Sequence, residues 1–87
     1  MTLLTLGDIE AASRRLSGVI HDTPIVTSTL LNQWLGHRFY FKAENLQKVG
    51  AFKARGAFNT LAWLKETNQL PEHIVAYSSG NHAQSVA

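Results

Sequence analysis

Eighty-seven residues, 45% of them apolar, suit a globular class, but a chain this short buries only about two-thirds of the surface its unfolded form exposes, which excludes a large core of its own. The formal charge of +2 comes from eight Lys and Arg against six Asp and Glu scattered along the chain, and no basic block follows a phosphate backbone, which argues against a nucleic-acid partner. The absence of cysteine excludes a disulfide scaffold, a thiolate metal site and a thiol nucleophile, and it agrees with a reducing cytoplasm.

The apolar start Met1 to Leu6 has no basic lead, and Asp8 and Glu10 interrupt it before a secretory core could form, so no signal peptide is read. No apolar run approaches the ~20 residues needed to cross a bilayer. The expected location is cytoplasmic, with no membrane partner.

Leu6 to Leu16 reads as an amphipathic helix, because Ile9, Ala12, Leu16 and Val19 recur at helical steps and acidic residues sit near its start. Gly18 is expected to end it. Thr23 to Thr27 is a short extended piece, since Pro24 disfavours the helical region before it and offers no ladder donor, which confines it to a sheet edge. Ser28 is an N-cap candidate for a second helix with Leu30, Leu31, Trp34 and Leu35 on one face, and Gly36 fits the position just past its end. Phe39 to Ala43 reads as an aromatic-rich strand, and Glu44 to Gly50 as a polar loop.

From about Ala51 to Lys65, Phe58, Leu61, Ala62 and Leu64, with Ala54 and Ala57, predict a third helix. His73 to Tyr77 reads as a buried-type strand, Ser78 to Asn81 as a turn, and His82 to Ala87 as the opening of another helix. This alternation predicts an α/β unit with parallel strands and right-handed crossovers. Two strands and an unfinished helix cannot cover both faces of such a sheet, so residues 1–87 read as a truncated segment. It contains no repeat, linker or internal domain boundary.

Two loops stand where open α/β sheets place ligands, after a strand and before a helix. Ser78-Ser79-Gly80-Asn81-His82 offers hydroxyls, an amide, a glycine and the free N–H groups of a helix start, a cup suited to a carboxylate or phosphate. Taken alone, it reads first as a capped helix start without a ligand. Gly50-Ala51-Phe52-Lys53-Ala54-Arg55-Gly56-Ala57 sets a lysine in the first turn of a helix, where a cation is disfavoured and is either solvated or held for a purpose. A neutral amine attacks aldehydes, whereas an unperturbed lysine, with pKa about 10.4, is almost wholly protonated at neutral pH. Arg55 and the helix dipole would favour the neutral form. Taken alone, Lys53 reads first as an ordinary solvated lysine.

Together the loops are far more specific. Phe41-Lys42-Ala43-Glu44-Asn45-Leu46-Gln47, then Gly50 to Ala57, then Ser78-Ser79-Gly80-Asn81-His82-Ala83-Gln84 closely resembles the fold-type II pyridoxal-phosphate enzymes, among them threonine dehydratases, serine racemases and hydroxyaspartate ammonia-lyases. The likeness extends over essentially the whole chain. It implies the three-layer parallel-sheet α/β fold of the tryptophan synthase β-like kind, with only the N-terminal part present.

The resemblance also implies the cofactor pyridoxal 5'-phosphate, with Lys53 forming the Schiff base and later serving as acid or base on one face, and Phe52 packing beside it. Ser78, Ser79, Asn81 and His82 match the loop that receives the substrate carboxylate. Asn81 matches the residue that contacts the cofactor hydroxyl, and Ser79 the hydroxyl opposite the lysine. The implied reaction is deamination of threonine, serine or 3-hydroxyaspartate to a keto acid and ammonia. The alternatives are a serine or aspartate racemase and a non-catalytic fragment.

Ala51 stands where many relatives have serine and is reminiscent of members acting on 3-hydroxyaspartate. Ser85 stands where glycine is common, a change that an early helix position tolerates. Lys53-Ala54-Arg55-Gly56 sides with dehydratases and racemases against the synthase branch, where an acidic residue follows the lysine. The family's phosphate-binding glycine loop and its pyridine-nitrogen partner lie further on, as does any divalent metal site. No metal site is therefore expected in these residues, and the segment alone is expected to be inactive; the whole enzyme is expected to be a homo-oligomer. His21, His37 and His73 read as surface histidines and Trp34 and Trp63 as packing residues.

Overall fold

Thr5 and Asp8 start the first helix by reciprocal capping. The Asp8 N–H donates to Thr5 Oγ1 at 3.3 Å, and the Thr5 N–H donates to Asp8 Oδ2 at 2.8 Å. Helix α1 then runs Leu6–Leu16, with Arg14 and Arg15 in its last turn, where cations complement the helix dipole. The computed structural model describes residues 2–87, so Met1, the first residue of the apolar start, lies outside them.

Strand β1, Ile25–Val26, pairs antiparallel with β2, Phe41–Lys42, in the register Ile25 to Lys42 and Val26 to Phe41. The Ala43 N–H extends the ladder to the Pro24 carbonyl at 2.9 Å. Between them lies helix α2, Thr29–Leu35. Ser28 Oγ caps it by accepting from the Leu31 N–H at 3.1 Å, and Gly36, at φ 71°, supplies the left-handed residue that ends it. The packing role expected of Trp34 is not met within residues 2–87, where the residue is 79% exposed.

Helix α3, Lys53–Glu66, is the organising element, packing against α1 on one side and α4, Asn81–Val86, on the other. Ala54 and Ala57 are buried there; their small side chains let the helices approach closely. Arg15 ties α1 across, donating from Nε to Glu66 Oε2 at 3.0 Å and from Nη1 to Asn59 Oδ1 at 3.1 Å.

The strand expected at His73 to Tyr77 is not formed, and with it the expected parallel pairing; the pairing among the described residues is the antiparallel β1–β2 ladder. A strand needs a neighbour to take its backbone groups and a facing layer to cover its side chains. Residues 2–87 provide neither here, and Val75 and Tyr77 are fully open to solvent. The radius of gyration, 16.4 Å, exceeds the about 12 Å of a compact domain of this length. No helix among the described residues is long and apolar enough to cross a membrane.

Candidate active site

The turn between β2 and α3 is built from two short 3-10 segments, Glu44–Leu46 and Lys48–Gly50. Val49 and Gly50 are both left-handed, at φ 57° and 70°, a conformation that glycine takes freely and a β-branched valine resists. Ala51 is then fully extended, and Phe52 leads into α3 without a side-chain cap. The sequence places the helix start at Ala51; the observed start is Lys53, because the reversal at Val49 and Gly50 is completed only through the extended Ala51.

Lys53 is therefore the first residue of α3. Its side chain is exposed, with Nζ 5.6 Å from the centroid of the exposed Phe52 ring. Both residues line a cleft of about 720 Å³ between α3, the segment from Pro71 to Ala76, and α4. His82 lines the same cleft from the start of α4, and Leu61, Ile74 and Val86 make its apolar wall.

The second loop is brought beside the first, since α4 packs on both α3 and the turn at Lys48–Gly50. Ser78 Oγ accepts from the Gly80 N–H at 3.2 Å, which bends the chain into α4. Ser79 and Asn81 are exposed, and Ser78, Ser79 and Asn81 stand outside the cleft lining. Of the six expected site residues, the cleft thus gathers Phe52, Lys53 and His82, with the other three along the adjoining turn. Ser85, a buried residue of α4, donates from Oγ to the Asn81 carbonyl at 2.8 Å, so the hydroxyl is absorbed within the helix.

Arg55 does not stand free beside Lys53, as the expectation of a charge favouring the neutral amine required. Its guanidinium is paired with Glu44: Nε donates to Oε1 and Nη2 to Oε2, the latter at 3.1 Å. Glu44 Oε2 also accepts from Thr23 Oγ1 at 2.5 Å. The Arg55 fork, and after it the Thr23 hydroxyl, holds the Glu44 carboxyl down at about 2, well below the ordinary 4.5. The sequence reading missed this pair, although a cation in the first turn of a helix was itself the signal that a partner had to exist.

The residues present fit the aldehyde end of pyridoxal 5'-phosphate: a primary amine and an aromatic ring share the mouth of one cleft, with an imidazole across it. Among the described residues no three His, Cys, Asp or Glu side chains lie close enough to hold a metal ion. His21, His37 and His73 are exposed.

The model of the family described as pyridoxal-phosphate dependent enzyme matches residues 16–87. An L-threo-3-hydroxyaspartate ammonia-lyase of Saccharomyces cerevisiae is 46% identical over 87 residues, which are all of this chain and 26% of that protein. A serine racemase of Dictyostelium discoideum is 45% identical over 87 residues, again the whole chain and 26% of the relative. The crystal structure of a pyridoxal 5'-phosphate-dependent aspartate racemase superposes with a TM-score of 0.90 at 42% identity, covering 99% of this chain and 28% of that one. The chain thus spans about a quarter of the length of these relatives and takes the fold of their N-terminal part.

Proposed function

Since the chain belongs to the pyridoxal-phosphate dependent enzyme family, we propose that residues 1–87 are the N-terminal segment of a catalytic domain that deaminates a small hydroxy amino acid to a keto acid and ammonia. The observation that carries this reading is the placement of Lys53, exposed on the first turn of α3 and opening with Phe52 and His82 onto one cleft. Threonine, serine and 3-hydroxyaspartate are the candidate substrates, and Ala51 favours the last. In this reading the protein works in the cytoplasm as a homo-oligomer on a free amino acid.

The cofactor, when bound, supplies an electron sink that stabilises negative charge at the substrate Cα. The protein contributes position and protons. Lys53 Nζ would hold the cofactor through its aldehyde and, once free as an amine, would accept the substrate Cα proton. His82, with the hydroxyls and amide of Ser78, Ser79 and Asn81, binds and orients the substrate carboxylate. Phe52 would pack beside the cofactor.

The racemase reading is favoured by one feature, the exposed Ser79 next to a Ser78 whose hydroxyl is already engaged by the Gly80 N–H. Ser79 Oγ would return a proton to the face opposite Lys53. A panel of L-threonine, L-serine and both 3-hydroxyaspartate diastereomers, with detection of keto acid and of enantiomer, separates the two. Keto acid with ammonia as the main product supports the lyase; enantiomer as the main product supports the racemase.

A further inference from the structure

Arg55 stands at the third position of α3, where a cation meets the positive end of the helix dipole. Glu44 compensates it with a side-on, two-pronged pair, a geometry that fixes direction as well as distance. The pair is anchored in turn by Thr23, 7% exposed, whose hydroxyl donates to Glu44. The stretch before β1, the turn after β2 and the first turn of α3 are thus joined through three side chains.

Residues two apart on a helix project about 200° from one another. Holding Arg55 on Glu44 therefore fixes the rotation of this turn and with it the direction of Lys53, which lines a cleft with Phe52 and His82 that Arg55 also borders. No side-chain cap at Phe52 fixes that rotation. The geometry points to Thr23, Glu44 and Arg55 as positioning residues that set the angle at which α3 presents the Lys53 ε-amine to an aldehyde. This rests on Lys53 being the cofactor lysine. Arg55 borders the cleft, but its guanidinium is engaged by Glu44, so its part is to position α3.

The test uses the protein from the complete gene, as wild type, Arg55→Lys and Thr23→Val. Four quantities are read: the Kd for pyridoxal 5'-phosphate, the pH midpoint of its visible absorption band, kcat against KM, and the peptide trapped by borohydride. Arg55→Lys keeps the charge and loses the fork. Loss of one charge-assisted hydrogen bond corresponds to about a tenfold rise in Kd, accompanied by a displaced band midpoint and a fall in kcat with KM little changed. Thr23→Val shifts the same readouts in the same direction by less.

Wild-type Kd, band midpoint and kcat in both folded variants, with only a lowered melting temperature, would make the fork purely structural and overturn the inference. If Arg55→Lys does not fold, Thr23→Val, nearly isosteric, decides by the same criteria. Trapping at Lys53 in the wild type with unperturbed variants rejects only the positioning role. Trapping elsewhere in the wild type rejects the lysine assignment and, with it, the positioning role.

Discussion

The side-chain amide of Gln47 closes a ring of two hydrogen bonds on the backbone of His21. The His21 N–H donates to Oε1 at 2.9 Å, and Nε2 donates to the His21 carbonyl at 2.8 Å. Oε1 also accepts from the Lys48 N–H at 3.0 Å, and the side chain is buried at 4% exposure. One amide thus serves His21 as a neighbouring strand would, and it locks the segment after α1 to the turn that leads to Lys53.

Gln47→Ala leaves the His21 N–H and C=O without this partner, and the expected destabilisation is about 2–3 kcal/mol. Gln47→Glu keeps the acceptor but sets a buried carboxylate against the His21 carbonyl, and it is expected to cost at least as much at neutral pH. The midpoint of urea unfolding measures both. A loss under about 0.5 kcal/mol in either, the range of an ordinary surface substitution, contradicts the locking role.

The Glu44 pair makes stability dependent on acid. Its carboxyl titrates at about 2 when folded, against 4.5 ordinarily, so the folded state favours the ionised form. The contribution is complete above the ordinary value and is lost as pH falls through the window from 4.5 to about 2. With the Glu44 side chain 18% exposed, screening by solvent leaves about 1–2 kcal/mol of the full shift. Glu44→Gln is expected to flatten the stability profile across that window. A variant profile parallel to the wild type below pH 4.5 contradicts it.

Ser79→Ala in the whole enzyme is expected to reduce racemisation by about a hundredfold, the typical scale of a lost proton carrier, and elimination by less. Equal loss of the two activities removes the opposite-face role.

Ala51→Ser introduces a hydroxyl just before Phe52 and Lys53, at an extended position where serine is sterically acceptable. The expected result is an unchanged melting temperature and a shift of kcat/KM away from 3-hydroxyaspartate toward serine and threonine. Unchanged relative kcat/KM values release this position from any part in substrate choice.

Much of the local structure was legible because local chemistry decides it. Helix α1 has the expected bounds, and Ser28 and Gly36 bracket α2 as their capping chemistry requires. The Lys53 loop and the Ser78 to His82 turn are each ambiguous on residue types alone and are singled out together by the family resemblance; α4 brings them side by side. What was not legible depends on distant partners. His73 to Tyr77 has strand composition but no neighbour in residues 2–87, and Trp34 has a helical face but no cover. Arg55 was read as a free charge because its partner Glu44 lies across a turn whose two left-handed residues no periodicity announces.

The central claim is that Lys53 carries the cofactor. Reduction of the whole holoenzyme with borohydride, followed by peptide mass analysis, tests it most directly. The account predicts the reduced pyridoxyl group on the peptide Ala51-Phe52-Lys53-Ala54, and loss of both the visible band and turnover in Lys53→Ala. Label on a different lysine, or colour and turnover retained by Lys53→Ala, contradicts it.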